Sequence, residues 1–515
     1  MAPAGSGPAP TVVASSPAER RQLTVLFCDM VGSTALSIRL DPEDMRELVR
    51  AYQRCCTDLI TRAAGFVARY MGDGVLAYFG YPQAQEHDAE RAVRAGLSLL
   101  EAVPKLKSAS GGPLQVRVGI ATGLVVVGDL IGDGPAQEQA VVGETPNLAA
   151  RLQALAEPGT VVISSTTRKL TGGLFDYRDL GTVTLKGFTE TVPAWQVLSA
   201  SASESRFEAL RASTTTLIGR EEELDLLLRR WAQTKVGEGR AIYITGEPGI
   251  GKSRLAQALV DCLVGDRHTR LQWHCSPYHT DSALHPIISH LLRAAGIEHT
   301  DEGEERLAKL EALLERSNSR LSETVPLLAP LLSIPLGDRY TPLNLGPQRR
   351  KDRTLAAVID HIAKLAIRQP VLLVFEDAHW IDPTSLELLS LTIERVARLP
   401  VLLIITARPD FSPPWPTHRH VSVVTLGRLG QHEGAALVHR IAKGKALPTE
   451  VLNEIIAHTD GVPLFLEELT KTVLEGGLLQ EVDDRYVLAG PLPPLAIPST
   501  LHASLLARLD RLAAA

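Results

Sequence analysis

Two aspartates each stand beside a glycine or a glycine-containing turn at the end of an apolar run. Asp29 ends "LTVLFCD", and Asp73 lies in "RYMGDGVLAYFG" between two apolar segments. The Gly-Asp-Gly triplet is typical of a type I′ hairpin turn, which gives Asp73 a purely structural explanation. If the two strands pair in a sheet, both carboxylates converge, and their repulsion favours a bound cation such as Mg²⁺. The spacing alone leaves both interpretations open.

A second segment has the pattern of a phosphate-binding loop. The sequence "GEPGIGKS" fits the template G-x-x-x-x-G-K-[ST] between an apolar strand and a helix. The glycines let backbone N–H groups surround phosphate, Lys252 brings a positive charge to the β- and γ-phosphates, and Ser253 offers an oxygen to Mg²⁺. The predicted nucleotide-binding residues of this loop are Gly246, Glu247, Pro248, Gly249, Ile250, Gly251, Lys252 and Ser253.

Such a loop needs an acidic group at the end of a neighbouring strand. The apolar run "VLLVF" is followed directly by Glu376 and Asp377. We expect Glu376 to lie on the magnesium side and Asp377 to position the attacking water, with the reverse order as the alternative. Arg408 ends the later strand "VLLIITAR". It is a candidate sensor of the γ-phosphate, with a surface arginine in a loop as the alternative.

The composition limits the class of protein. The chain has 515 residues, 45% of them hydrophobic and 22% charged, with a net charge of −6. These values are typical of a soluble multidomain protein, and the acidic balance argues against a general nucleic-acid binder. None of the five cysteines forms a CxxC pair. No apolar run approaches the roughly 20 residues that span a bilayer, so we expect a cytoplasmic protein without membrane contact.

The order of the segments predicts six regions. The first large region alternates hairpins and helices, as in an α+β domain, and the second has the strand–loop–helix pattern of a parallel α/β domain. The predicted regions are a disordered leader (1–20), the α+β domain (21–198), a Ser/Thr-rich linker (199–216), a P-loop α/β domain (217–416), a helical lid (417–477) and the incomplete start of a winged-helix or helical domain (478–515).

Local patterns in the first large region give more specific expectations. An N-capping Asp41, a following Pro42 and a terminating Gly65 predict a helix from Asp41 to Ala64. The segment "LQVRVGIATGLVVVGDLI" is interpreted as a second hairpin, and "TPNLAARLQALA" as a short helix. We expect the helices to cover one face of a mainly antiparallel sheet.

Four motifs in this region follow one another in an order that resembles a known family. They are "VLFCDMVGST", "RYMGDGVLAYFG", "VRVGIATG" and "VVGETPNLAARLQALA". Together they resemble the catalytic domain of the class III nucleotidyl cyclases, which make cyclic AMP or cyclic GMP. The later segment "LGTVTLKGFTETVPAWQV" resembles the final hairpin of that domain. The resemblance implies a ferredoxin-like α+β fold and a phosphorus–oxygen lyase.

The resemblance also assigns roles to individual positions. Asp29 and Asp73 match the two metal-binding aspartates, which implies two Mg²⁺ or Mn²⁺ ions per site and in-line attack of the ribose 3′-hydroxyl on the α-phosphate. Asn147 and Arg151 match the pair that orients the ribose and stabilises the transition state, and their i, i+4 spacing puts both on one helix face. The candidate phosphate contacts are the backbone of Gly32, Ser33 and Thr34 and the side chains of Arg117 and Lys186.

Two further features of the family bear on assembly and on the base. Its site forms between two cyclase domains, so one chain carrying both residue sets implies a head-to-tail homodimer with two equivalent sites. At the positions that select the purine, Arg69 stands where the family usually has lysine, and Ala140 where it has aspartate or threonine. This departure weakens the readout of adenine. ATP is favoured over GTP only because most of the family uses it.

The second large region resembles another family. "LIGREEELDLL" and "DGVPLFLEEL", together with the P-loop segments, are similar to the signal-transduction ATPases with numerous domains, a branch of the AAA-like P-loop ATPases. That resemblance implies ATP, one Mg²⁺ and an additional ATPase activity. We therefore expect an adenylate cyclase, or a guanylate cyclase, that is regulated by its own ATP-binding module. The alternative is a nucleotide-controlled signalling switch, acting on an unknown partner, whose cyclase domain serves in dimerisation or nucleotide sensing.

Overall fold

The structure, a computed structural model, describes residues 19–84, 87–106, 113–131, 138–188, 191–201, 217–298, 301–317, 320–415, 418–475, 479–482, 485–488 and 490. These residues form two compact units, the first ending at Ser201 and the second beginning at Leu217. Most of the predicted leader, linker and last region lies outside the described residues. Glu19 and Arg20 of the predicted leader, and Ser199 and Ala200 of the predicted linker, are in strands of the first unit. Within the described ranges, no helix is both long enough and apolar enough to cross a membrane.

The first unit is built on one twisted sheet. Its strands are β1 (Glu19–Met30), β2 (Phe66–Met71), β3 (Gly74–Phe79), β4 (Val116–Ile131), β5 (Glu138–Val142), β6 (Thr160–Ser164), β7 (Phe175–Val183) and β8 (Val192–Ala200). The order across the sheet is β2-β3-β1-β4-β6-β8-β7, with β5 paired to β4. Every pair is antiparallel except β4 with β6. The expectation of a mainly antiparallel α+β domain is thereby confirmed.

The helices of this unit lie on both faces of the sheet. They are α1 (Ser33–Arg39), α2 (Pro42–Arg62), α3 (Asp88–Ala102), α4 (Glu144–Leu155) and α5 (Ser165–Thr171). Leu152 of α4 packs with Val25 on one face. On the other face, Gly96 of α3 lies close to Val118 and Ile120. The expectation that helices cover a single face is wrong, because successive side chains of β1 and β4 are apolar on both sides of the sheet.

The segment predicted as a second hairpin is instead the continuous strand β4. Its glycines do not turn the chain, since Gly119 and Gly123 both have ordinary negative or extended backbone angles. They allow α4 to approach. A Cβ atom at Gly119 would lie 2.2 Å from the backbone nitrogen of Gln153, and one at Gly123 would lie 2.5 Å from Oγ1 of Thr145. Both glycines are therefore needed for the contact between α4 and the sheet.

At the end of α2, Gly65 is needed for space and not for its backbone conformation. The helix begins at Pro42 after Asp41, as predicted. At its end the amides of Ala64 and Gly65 donate to the carbonyls of Thr61 and Ile60, both at 2.8 Å, which is a Schellman motif. The left-handed residue is Ala64, with φ of 54°, and not Gly65. Gly65 is required for space, because a Cβ there would lie 2.7 Å from the ring of Phe79.

The second unit contains a parallel sheet with helices around it. Its strands are β9 (Arg240–Thr245), β10 (Thr269–His274), β11 (Val371–Glu376), β12 (Val401–Ala407), β13 (Val421–Thr425), β14 (Leu479–Val482) and β15 (Arg485–Leu488). The first five form a sheet in the order β10-β11-β12-β9-β13, in which every neighbouring pair is parallel. The last two form a separate antiparallel pair. The boundary that the sequence suggested at 416 precedes β13, so the sheet extends into the region expected to be helical.

The helices of the second unit divide into a group around the sheet and a group after it. The first group is α6 (Glu221–Lys235), α7 (Lys252–Cys262), α8 (His285–Ala295), α9 (Gly303–Arg316), α10 (Leu321–Leu331), α11 (Pro347–Arg368) and α12 (Pro383–Val396). The second group is α13 (Gln431–Ile441), α14 (Thr449–Thr459) and α15 (Pro463–Glu475). These last three share a core around Val438, Ile455 and Leu466, and we call them the lid.

Alanine substitutions at Gly119 and Gly123 should distinguish the contact of β4 with the α4 backbone from its contact with the Thr145 side chain. Gly119→Ala should lower the free energy of unfolding of the first unit by about 3 kcal/mol, because the backbone of α4 must move, whereas Gly123→Ala should cost about 1 kcal/mol, because the Thr145 side chain can rotate. Urea-dependent hydrogen exchange of β4 and α4 peptides in the full chain measures both values. Equal costs for the two variants would contradict this account of α4 docking.

Candidate active sites

The sheet of the first unit brings Asp29 and Asp73 together. Asp29 of β1 lies opposite Gly74, the residue that follows Asp73. Burial, and then the charge of Asp73, raise the pKa of Asp29 to about 6, while the charge of Arg117 acts in the opposite direction. The convergence of the two carboxylates that the strand ends suggested is therefore present. Two carboxylates side by side in a half-buried position form a site that suits a divalent cation.

The turn that carries Asp73 differs from the expected type. Gly72 has a positive φ of 66°, whereas the φ of Asp73 is not positive. A type I′ turn needs positive φ at both central residues, so the type II′ pattern, with glycine first, fits better. Gln53 of α2 donates from Nε2 to the carbonyl oxygen of Gly72 at 3.0 Å. Gln53 thus supports the turn that carries Asp73, and no pattern in the sequence singled it out.

Several other predicted residues lie on the same face of the sheet as Asp29. Arg117 is the β4 partner of Asp29, and Arg69 of β2 is the partner of Leu76. Leu76 belongs to the same core as Val25, which is on the face that α4 covers. Because cross-strand partners share a face, Arg69, Asp29 and Arg117 all point to this side. Gly32, Ser33 and Thr34 lie at the start of α1, directly after β1.

The predicted ribose-orienting pair lies elsewhere on this domain. Asn147 and Arg151 are exposed, whereas Ala149 and Leu152 on the opposite side of α4 are buried against the sheet. Among the described residues, no hydrogen bond or ion pair joins Asn147 or Arg151 to the two carboxylates. Lys186 is exposed in the segment between β7 and β8. Ala140 is in β5, and its side chain and the adjacent loop lie outside what the structure describes.

The phosphate-binding loop of the second unit connects β9 to α7. Gly249 and Gly251 have φ of 75° and 104°, a conformation that favours glycine. Lys252 is buried at the start of α7, and its Nζ donates to the carbonyl oxygens of Gly246 at 2.8 Å and Glu247 at 3.0 Å. Ser253 follows it in the first turn. The predicted strand, loop and helix are all present.

The acidic pair lies at the end of β11. Glu376 is buried, 3% exposed, and its Oε2 is 3.6 Å from Nδ1 of His274. Asp377 has φ of 57° and donates its backbone N–H to Oγ1 of Thr406 on β12 at 3.0 Å. The strained backbone at Asp377 is held by the neighbouring strand, as is common for functional residues.

A histidine that the sequence analysis did not select lies beside this pair. Burial lowers the pKa of His379 to about 4. The negative charge of Asp377 opposes this shift, whereas the positive charges of Arg408 and Lys252 add to it. The ring of His379 also packs on Trp380, with centroids 4.2 Å apart, and the guanidinium of Arg408 lies 5.0 Å from the same tryptophan ring. In the sequence, only its position shortly after the acidic pair, in "EDAHWID", indicates that His379 lies near the site.

The raised pKa of Asp29 predicts how pH affects the metal-free chain. A carboxyl group whose pKa rises from 3.8 to about 6 on folding stabilises the fold at low pH and loses that contribution as the pH rises through 6. Asp73→Asn removes the second charge, so it should raise the melting temperature in EDTA at pH 7.5 and change it little at pH 5. Differential scanning calorimetry of the full chain measures both values.

Melting temperatures measured with Mn²⁺ test whether Asp29 and Asp73 bind a divalent cation. Mn²⁺ should raise the melting temperature of the wild type and have much less effect on Asp73→Asn, because one of the two carboxylates is lost. Asp58→Asn, which changes an exposed carboxylate on α2, is the matched control and should behave as the wild type. A lower melting temperature for Asp73→Asn in EDTA at pH 7.5 would contradict repulsion between the two aspartates.

Comparison with protein-family models identifies both units. Residues 16–199 match the model described as "Adenylate and Guanylate cyclase catalytic domain", and residues 216–405 match the model described as "AAA ATPase domain". An uncharacterized protein of Rhizobium meliloti is 33% identical over 462 residues, which is 88% of this chain and 44% of the relative. Adenylate cyclase 1 of the same organism is 29% identical over 196 residues, or 37% of this chain and 29% of the relative.

Solved structures match the first unit. The guanylate cyclase domain of RhGC from Catenaria anguillulae, in complex with GTP, is 26% identical, with a TM-score of 0.34, and the match covers 36% of this chain and all of that one. The adenylyl cyclase CyaB from P. aeruginosa is 29% identical, with the same TM-score of 0.34, and covers 36% of this chain and 98% of its own.

The chain spans less than half the length of the curated relatives described above. Each match nevertheless covers a defined stretch, and the two family models do not overlap. The fusion expected from the motifs is confirmed: residues 16–199 belong to the class III adenylate/guanylate cyclase catalytic domains, and residues 216–405 belong to the AAA ATPase domains.

Proposed function

We propose that the first domain converts a nucleoside triphosphate, most simply ATP, to a cyclic nucleotide and pyrophosphate. The observation that carries the proposal is the meeting of Asp29 and Asp73, within a cyclase catalytic domain. The similarity to Adenylate cyclase 1 of Rhizobium meliloti supports ATP as the substrate.

The two carboxylates have the chemistry of a magnesium or manganese site. They are hard oxygen donors whose mutual repulsion a cation would relieve. Within the described ranges no group of three or more acidic, histidine or cysteine side chains could hold a metal ion. Water and the phosphates of the nucleotide would therefore complete the coordination. Two bound ions would activate the ribose 3′-hydroxyl and neutralise the leaving pyrophosphate.

The remaining residues act on the nucleotide itself. Asn147 would hold the ribose, and Arg151 would donate hydrogen bonds to the charge that develops on the α-phosphate. Arg117, whose charge already acts on Asp29, and Lys186 would bind phosphate oxygens, as would the backbone at Gly32, Ser33 and Thr34. Arg69 lies on the metal-bearing face and would contact the purine. Ala140 cannot accept a hydrogen bond from the adenine amino group, so we expect a preference for ATP over GTP that is smaller than in cyclases with aspartate or threonine at this position.

A second copy of the chain would complete this site. Within one copy the ribose-orienting pair is exposed on α4, and among the described residues no hydrogen bond or ion pair joins it to the two carboxylates. This is the arrangement expected if each site takes one set of residues from each subunit. Apolar side chains are also exposed on the elements that surround the site, as at a surface that meets another protein. They are Phe66, Tyr70, Met71, Leu124, Val126, Val142 and Leu155.

The second domain would regulate the first through bound ATP and one Mg²⁺. Its loop, with Lys252 at the start of α7, and the acidic pair at the end of β11 support nucleotide binding and an ATPase activity. A second candidate function rests on the unusual purine positions Arg69 and Ala140. In it the chain is a nucleotide-controlled switch, and its cyclase domain dimerises or senses nucleotide with little turnover.

A product assay tests the cyclase proposal directly. The purified chain should make cyclic nucleotide with Mn²⁺ or Mg²⁺, faster from ATP than from GTP, and Asp73→Ala should lower the rate by about 10³-fold or more, because the metal-binding pair is broken. Asp58→Asn should keep full activity. The absence of product with either nucleotide and either metal would defeat the cyclase proposal and favour the switch.

Mixing two inactive variants tests the shared site. Asp29→Ala lacks a metal ligand and Arg151→Ala lacks the transition-state arginine, so each alone should be inactive. In a mixed dimer one of the two sites has both residue sets intact, and an equimolar mixture should recover about a quarter of the wild-type rate, because about half of randomly formed dimers are mixed. No recovery, despite dimers in sedimentation velocity, would exclude the shared site.

A further inference from the structure

The lid of the second domain rests directly on the phosphate-binding loop. The amide of Leu464, at the start of α15, donates to the carbonyl oxygen of Gly249 at 3.2 Å. A Cβ at Gly249 would lie 2.9 Å from Cβ of Leu464 and 3.4 Å from a methyl group of Val462. The loop that would hold the phosphates is therefore covered by the segment that begins the last lid helix.

One side chain joins these two parts. Nη2 of Arg428 lies 3.1 Å and 3.3 Å from the two carboxylate oxygens of Glu247, the second residue of the phosphate-binding loop. Nη1 of the same guanidinium binds Asp460, immediately before the segment that covers the loop. The planar fork of arginine can bind two carboxylates at once, which the single ammonium group of lysine does less well.

The backbone around Arg428 is fixed at both ends. The amide of Leu429 donates to the carbonyl oxygen of Gly461 at 2.9 Å, and a Cβ at Gly461 would lie 2.3 Å from the carbonyl oxygen of Leu429. The side chain of Arg220, at the start of α6, binds the carbonyl oxygen of Gly427. The backbone at Arg428 is thus already ordered, so less conformational entropy is lost when its guanidinium binds.

We propose that Arg428 is a positioning residue that clamps the lid onto the phosphate-binding loop and thereby slows the release of bound nucleotide. The inference rests on the proposed binding of ATP or ADP by this domain. Release requires the segment at Val462 and Leu464 to move away from Gly249. That movement must break the bond of Arg428 to Glu247 or its bond to Asp460.

Nucleotide release from the full chain tests the clamp. The chain is loaded with fluorescent mant-ADP, an excess of unlabelled ADP is added, and the dissociation rate is measured by stopped flow. Arg428→Gln should release mant-ADP about fivefold faster, the size expected when a partly exposed charge network of this kind is lost. Arg339→Gln is the matched control, because Arg339 forms a comparable surface ion pair, with Glu311 on α9 at 2.8 Å, and it should leave the rate unchanged.

Double variants distinguish the clamp from a general loss of stability. Glu247→Gln and Asp460→Asn should each speed release, and Arg428→Gln combined with Glu247→Gln should be no faster than Arg428→Gln alone, because both remove one interaction. Arg428→Lys should give an intermediate rate. If Arg428→Gln does not fold, the Glu247→Gln and Asp460→Asn variants still provide the measurement.

The possible results separate the two proposals. Tight mant-ADP binding with an unchanged release rate in Arg428→Gln, or fully additive rates in the double variant, would overturn the clamp and leave nucleotide binding intact. If the wild-type chain binds neither mant-ADP nor mant-ATP, nucleotide binding by this domain fails, and the clamp fails with it. The cyclase proposal is tested independently by product formation.

Discussion

The close approach of two negative carboxylates at one end of the first sheet is the constraint on which the cyclase domain depends. Asp29 and Asp73 come from different strands, and the antiparallel register of β1 with β3 sets them side by side. Burial and the neighbouring charge of Asp73 oppose the ionisation of Asp29 and raise its pKa to about 6. The surrounding structure holds it in place through the Gly72 turn, the hydrogen bond from Gln53 and the nearby charge of Arg117.

Close backbone contact at glycine is the second recurring constraint. In the first domain, Gly119 lets α4 lie against β4, and this packing leaves Asn147 and Arg151 on the outer side of the helix. In the second domain, Gly249 and Gly461 let the lid segments touch the phosphate-binding loop and each other. In both domains the absence of a side chain at glycine lets two backbone segments come into contact. These contacts set the positions of charged residues at the candidate sites.

The sequence analysis succeeded where the signal was local. Asp29 and Asp73 at strand ends, Lys252 after a glycine loop, and Glu376 after five apolar residues all lie in the elements that their neighbours predicted. It failed where a residue served a distant partner. The interpretation of "LQVRVGIATGLVVVGDLI" as a hairpin is wrong, because the segment is one strand in which Gly123 faces Thr145 of α4. Gly65 does mark the end of α2, but the sequence did not show that it also makes room for Phe79. Nothing in the flanking residues distinguishes a glycine that turns the chain from one that admits a neighbour.

The sequence by itself determined the two domain types and their order, because the motifs that identify each domain are runs of adjacent residues. It also provided the candidate site residues at the ends of apolar strands. The three-dimensional structure alone decided which residues support those sites. Gln53 beneath the Asp73 turn, His379 beside Asp377, and Arg428 between Glu247 and Asp460 are polar residues of ordinary appearance. Glu247 and Arg428 are 181 positions apart, and only the packing of the lid on the loop brings them within hydrogen-bonding distance.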